Sequence, residues 1–224
     1  MNPFVNIHTH HHNNIDSKDF IEIQNIDFDN IVNLDVFHFF SLGIHPWECQ
    51  YSTDNELQLL SIVQHLDNSN LLAIGECGLD RACCSDFERQ KNIFIKQIEL
   101  SECNSKPLII HSVRSYPDII SIRKETKAIQ SWIIHGFQGN EQSAEQLLKH
   151  DDIYLSLGDV LFKNETRAKH LLQIIPSNRL FFETDIAERN IVEVYEKASL
   201  LSGITIDAFR KEIFDNFVKI FGDI

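Results

Sequence analysis

Apolar runs that end on metal-binding side chains constrain this chain more than any other feature. The stretches NIHTH, GIHP, AIGE, LIIH, WIIH and FFETD each finish on, or one residue after, a histidine or a carboxylate. The residues concerned are His8 and His10, His45, Glu76, His111, His135 and Asp185. A short apolar run bounded by turn residues reads as a buried strand. A lone histidine after a strand is ordinarily a hydrogen-bonded turn residue, and a lone carboxylate there often caps the next helix. Those readings treat the positions as independent. Repetition at six strand ends calls for a fold that gathers strand ends together.

Eight runs qualify as strands: 4–10, 20–26, 37–45, 71–76, 107–111, 131–137, 153–158 and 179–185. Helical periodicity occupies 54–68, 86–104, 115–127, 141–149, 164–174, 190–202 and 206–220. Asp86, Glu141 and Asp207 stand near helix starts, where negative charge complements the positive end of the helix dipole. Strands alternating with helices predict parallel βαβ units. Eight strands in this order predict an α/β fold, a TIM-type (β/α)8 barrel. The first three strands leave no room for full helices between them, so the barrel is expected to be distorted and shortened in its first third. No Gly/Ser-rich linker interrupts residues 1–224, which are expected to form a single barrel domain. In such a barrel the C-terminal strand ends converge on one face, where active sites lie.

That convergence changes the chemistry on offer. A cluster of carboxylates without a cation would repel and need raised pKa values. Imidazoles mixed with carboxylates are the donor set that Zn²⁺ and Mn²⁺ accept, with Mg²⁺ suited where oxygen ligands and water predominate. His8 and His10 lie two apart on a strand, so they share a face about 7 Å apart. His11 and His12 follow on the outgoing loop and are expected to stand at the rim as bystanders.

Composition excludes some functions. The formal charge of −13, from 20 basic and 33 acidic residues, argues against a broad basic surface that coats nucleic acid. It leaves room for a small site where bound cations supply positive charge locally. No apolar run reaches the roughly 18 residues that span a bilayer, and MNPFVNIHTH lacks the basic and apolar pattern of a secretory signal, so none is expected. Cysteines 49, 77, 83, 84 and 103 are odd in number and lack CxxC spacing, which suits reduced thiols in the cytoplasm. Adjacent Cys83 and Cys84 could also bind a soft metal.

In order along the chain, NIHTH, SLGIHPW, AIGECGLD, KPLIIHS, WIIHGFQG, LFFETD and the closing NFVKIFG resemble the TatD family of metal-dependent hydrolases. HxH alone is shared by many hydrolases; GECGLD followed by IIHS, IIHGF and ETD is far more specific. The resemblance implies a two-metal barrel of the amidohydrolase superfamily. It would place His8, His10 and Asp185 on one divalent ion, His111 and His135 on the other, and Glu76 between both, with Mg²⁺, Mn²⁺ or Zn²⁺ as the metal. It further implies a nuclease acting on DNA or a short nucleic acid, often as a 3′ to 5′ exonuclease. Two such ions can clamp the attacking and leaving oxygens of an in-line displacement at phosphorus.

Within that scheme Asp185 is the candidate to orient the water or take its proton. His45 in GIHP matches a family position beside the cleft, with a phosphate contact or a proton role against the plainer reading of a turn residue. Asp80 in GLD is expected behind the ligands, as an acceptor for the far nitrogen of a histidine. Glu183 shares the side-chain parity of Asp185; it is either a second such support or a barrel-interior carboxylate paired with a cation. Arg114 and Arg81 are either phosphate grips or solvated charges. Two departures from the family pattern stand out. The stretch between His10 and Phe37 is compressed, and ETDIAERNIVEV enters a helix almost at once, which shortens one wall of the cleft.

The same ligands are blind to the electrophile. A metallohydrolase acting on a carboxylic ester or amide, such as an aminoacyl-tRNA ester, is therefore the alternative. A phosphatase of another HxH barrel family and a barrel that only binds metal are the remaining readings.

Overall fold

The computed structural model describes residues 1–11, 18–33, 39–50, 54–83 and 86–222. These hold eight strands: β1 (Phe4–Thr9), β2 (Phe20–Asn25), β3 (Phe39–Leu42), β4 (Leu71–Asp80), β5 (Leu108–Val113), β6 (Trp132–Ile134), β7 (Ile153–Leu157) and β8 (Leu180–Phe182). They follow one another in chain order through one sheet. Helices α1 (Asp54–His65), α2 (Phe87–Asn104), α3 (Tyr116–Thr126), α4 (Glu141–Leu148), α5 (Val160–Lys163), α6 (Glu165–Ile174), α7 (Ile191–Ser202) and α8 (Ile206–Phe221) lie between and after the strands. The architecture is the expected TIM-type (β/α)8 barrel.

Its first third is abbreviated as expected. Among the described residues the helical segments before α1 are 3-10 turns only, Phe28–Asn33 and Pro46–Gln50. The expected strand residues 37 and 38, His12, and Cys84 of the proposed thiol pair fall outside the described residues. Two differences from expectation have local causes. The four residues of α5 are too few to show a period of 3.6. Strand β4 runs to Asp80 rather than Glu76, with all ten residues buried. Gly78 permits this: its φ is +131°, and a Cβ there would lie 2.2 Å from the His111 carbonyl oxygen of β5.

The chain divides into two compact units, Met1–Gln24 with Ile134–Ile224, and Asn25–Ile133. In the first, β7 and β8 pair in parallel, and a bridge from Thr9 to Asp185 joins the end of β1 to the segment after β8. Phe182 meets Tyr195 and Phe209 edge-on, with ring centres 4.9 and 5.1 Å away. The buried Tyr195 hydroxyl accepts from the Val5 N–H and donates to the Val5 carbonyl, both at 3.1 Å. In the second unit, β3, β4 and β5 pair in parallel. Helix α2 packs Phe94 5.6 Å from the ring of Trp132, and both are fully buried. Each such side chain contributes about 1.5–3 kcal/mol by leaving water. Asp86 caps α2 by accepting from the Glu88 and Arg89 N–H groups.

Burial pushes the Cys49 thiol up to about 12 and Cys77 well above the usual range. Both are therefore neutral core residues.

Asp159, which precedes α5, gives the first unit a pH-sensitive tie. Burial alone would raise its carboxyl, but Lys163 at 2.5 Å and Arg189 at 2.6 Å outweigh burial and hold it below the usual range. The folded chain then binds this proton less readily than the unfolded chain. The tie therefore stabilises above about pH 4 and is lost as pH falls through the lowered value. Asp159→Asn is expected to lower stability by roughly 0.5–1 kcal/mol at pH 7 in urea unfolding. The gap from the parent should narrow as pH falls below about 4 and close once the lowered value is passed; a constant gap would assign the effect to something other than charge.

Candidate metal centre

In the first unit, β1 delivers His8 and the residue just past it delivers His10. His8 is fully buried; the His10 side chain is 30% exposed. Their rings are perpendicular, 5.0 Å apart, and both reach Asp185: His8 Nε2 lies 3.8 Å and His10 Nε2 3.6 Å from Oδ1. The shared strand face read from the sequence is thus present.

The backbone fixes this meeting. The Asp185 N–H donates to the His8 carbonyl, and the His10 N–H donates to the Asp185 carbonyl, both at 3.1 Å. Behind them lies a buried polar network that explains the small residues of NIHTH and ETD. The Asn6 side chain accepts from the Thr184 N–H at 3.0 Å and donates to the Thr184 hydroxyl at 2.9 Å. That hydroxyl donates to Thr9 Oγ1 at 3.0 Å. Satisfied buried networks of this kind hold one geometry.

His135, after β6, sets its ring 4.3 Å from that of His8. Behind it stands Glu183, fully buried, with Oε1 3.6 Å from His135 Nδ1 and accepting from the Gly136 N–H at 2.5 Å. Burial opposes the Glu183 charge; His135 and the nearby His8 outweigh it and hold the carboxyl below its ordinary value. Glu183 thus lies buried beside a candidate ligand, a place open to both sequence readings, a support for that ligand or a barrel-interior carboxylate.

The second unit builds its own cluster from β3, β4 and β5. His111 Nδ1 lies 2.7 Å from Glu76 Oε1, and His45 Nε2 lies 3.2 Å from the same oxygen and 3.3 Å from His111 Nδ1. The other His111 nitrogen is 3.4 Å from Asp80 Oδ2. Asp80 is itself tightly held. It accepts from the Ala82 and Cys83 N–H groups at 2.7 and 3.2 Å, and from Trp47 Nε1 at 2.7 Å. Burial works against its charge, but Trp47, Ala82 and His111 together keep its carboxyl below the usual range.

Helix α2 positions this cluster with two buried glutamines, seven residues apart and so on one helix face. Gln90 accepts from the Asp80 N–H at 2.8 Å and donates to the Asp80 carbonyl at 3.1 Å. Gln97 accepts from the Ile44 N–H at 2.7 Å and donates to its carbonyl at 3.2 Å, fixing the turn into His45. Neither glutamine stands out in the sequence except as a polar residue on an otherwise apolar face. Trp47 is marked in the sequence only by directly following HP in GIHPW.

Both clusters suit a divalent cation. His8, His135 and Asp185 form one set and His45, Glu76 and His111 another, with the ligand atoms of each set within 4.8 Å of one another. That span fits ligands about 2.0–2.2 Å from a shared ion. The sequence expectation put His135 with His111; the structure sets it beside His8 and Asp185. His45 calls for a distinction within its set. Its Nδ1 accepts from the Trp47 N–H at 3.2 Å, so the neutral ring carries its proton on Nε2. That tautomer presents a donor rather than a lone pair.

The two arginines stand apart from these clusters in what they do. Arg81 spends its guanidinium fork on Asp118, at 2.7 and 2.9 Å, and lies 3.8 Å above the Phe87 ring. Arg114 is exposed, in a left-handed turn with φ +54°. His11 bonds the Ile186 carbonyl through Nε2 at 2.7 Å, as a rim residue would.

The chain is similar to known metal-dependent hydrolases. A relative from Buchnera aphidicola of the aphid Baizongia pistaciae, described as an uncharacterized metal-dependent hydrolase, is 34% identical over 197 residues. That match covers 81% of this chain and 73% of the relative. A second, from Buchnera aphidicola of Acyrthosiphon pisum and described in the same words, is 32% identical over 157 residues. There the match covers 66% of this chain and spans only 58% of the relative's length. The crystal structure of YjjV, a TatD homologue from Escherichia coli, superposes with a TM-score of 0.84 at 19% identity, covering 99% of this chain and 98% of that one. The family described as TatD related DNase matches residues 12–222, and the chain belongs to that family.

Proposed function

We propose that this chain is a metal-dependent hydrolase that cleaves phosphodiester bonds in DNA. The observation that carries the proposal is the meeting of Asp185 with His8 and His10, one carboxylate shared by two imidazoles at the end of β1. His8, His10, His135 and Asp185 would hold one ion, and Glu76 and His111 a second. Divalent ions bound there supply Lewis acidity and neutralise phosphate charge that an acidic chain otherwise repels.

The chain's own residues perform the remaining work. Asp185 orients the attacking water and accepts its proton. His45, with its proton on Nε2, donates to a phosphate oxygen as charge develops there. Asp80 holds the ring of His111 through its far nitrogen, fixing tautomer and direction, and the Glu183 carboxylate stands 3.6 Å from Nδ1 of His135 as its charge partner. Arg114, exposed beyond β5, is available to the flanking phosphate; Arg81 would first have to release Asp118.

Metal analysis of the purified chain, paired with hydrolysis of a labelled single-stranded oligonucleotide and a carboxylic ester panel, tests this reading. Cleavage of the oligonucleotide should disappear with EDTA and return with Mg²⁺, Mn²⁺ or Zn²⁺. Robust ester turnover without metal-dependent DNA cleavage would overturn it in favour of an ester or amide hydrolase.

A further inference from the structure

Trp47 is 59% exposed, and among the described residues it is the one exposed aromatic side chain. Its position is not that of a loose surface residue. Nε1 donates to Asp80, which is 3% exposed and anchored to two backbone N–H groups. The indole stands edge-on to His45 with ring centres 4.8 Å apart, and 6.2 Å from His111. The 3-10 turn that carries it is pinned as well: the Glu48 N–H bonds the His45 carbonyl at 2.9 Å, and Cys49 is buried beneath. A large apolar ring is thus held rigid and open to water next to candidate ligands and a hydrogen-bond donor.

We propose that Trp47 is a stacking platform for a nucleobase of the substrate strand, set beside the phosphodiester that is cleaved. The inference rests on the nuclease reading above and adds what that reading leaves open, namely how the strand is held. An immobilised indole loses little entropy on stacking, and stacking tolerates every base because each has a π-face. The arrangement also suits a chain whose formal charge is −13. A strand that cannot be gripped by many lysines is held by a ring and by the cations at the centre. Because Nε1 is engaged by Asp80, the ring is fixed through the same carboxylate that faces His111, so base and scissile phosphate are placed by one anchor.

The test uses the intact chain loaded with metal, the variants Trp47→Ala and Trp47→Phe, and two oligonucleotides that differ by abasic residues flanking the cut. Trp47→Ala should raise KM for the parent oligonucleotide roughly tenfold with kcat changed little, and Trp47→Phe should retain most of the affinity. The abasic oligonucleotide should be bound weakly by the parent chain and show no further loss with Trp47→Ala, as expected when both changes remove one contact. Fluorescence gives a second readout. Of the two tryptophans in the chain, Trp132 is fully buried, so quenching by added oligothymidylate reports on Trp47. Equal losses on both oligonucleotides, or a fall in kcat alone, would reduce Trp47 to a prop for Asp80 and overturn the platform. If the parent chain cleaves no nucleic acid at all, the nuclease reading itself falls, and the two failures are thereby told apart.

Discussion

Asp185→Asn is expected to cut turnover about a thousandfold or more while leaving the fold and its melting temperature nearly unchanged. Positioned proton acceptors contribute about 10²–10⁴-fold on their own, and this carboxylate is also a proposed ligand. The fold survives for a reason specific to the position. Asp185 has φ +52°, a left-handed conformation that asparagine tolerates and that a branched residue would not. Its two bonds to His8 and His10 run through the backbone, so they persist in the variant. What changes is charge and acceptor character opposite two imidazoles. Turnover on the oligonucleotide, a thermal melt and metal content measured together separate the causes. A folded variant with unimpaired turnover would remove Asp185 from the chemistry.

The contrast between the two ends of the chain shows where sequence patterns carry structural information. From Leu71 onward, apolar runs of strand length alternate with stretches of helical period, and these become β4 to β8 and, apart from the four-residue α5, α2 to α8. Strand ends could be read because each is marked by an abrupt change from Ile, Leu or Phe to His, Glu or Asp. Before residue 54 the described helices are 3-10 turns, which have no amphipathic period to detect. Pairing within the site was less legible still. Nothing in the spacing of His135 says that its ring packs on His8, since that contact depends on sheet register. The supports were hidden for another reason. Asn6, Thr184, Gln90 and Gln97 act by bonding backbone or one another at buried positions, and residue type alone does not distinguish that from solvent exposure. The tautomer of His45 is the extreme case: a backbone N–H two residues on decides which nitrogen faces Glu76.

Glu76→Gln tests the second cluster and should be as damaging, by a different route. Its carboxylate is nearly inaccessible and Oε1 is held 2.7 Å from His111 Nδ1 and 3.2 Å from His45 Nε2. Glutamine fills the same volume, and the Glu76 N–H keeps its 2.8 Å bond to Asn25 Oδ1, so packing is preserved. The amide carries no charge, however, and offers one oxygen where the carboxylate offers two. A cation sharing that site with His111 then loses its only charged partner within the set of His45, Glu76 and His111. Bound metal is expected to fall by about one equivalent, and turnover by about a thousandfold or more, the scale seen when one member of a jointly acting set is removed. The order of these losses discriminates between roles. Loss of metal with loss of turnover identifies Glu76 as a ligand. Full metal content with lost turnover would instead make it a partner of the His45 proton, and the second ion would have to be held by other residues.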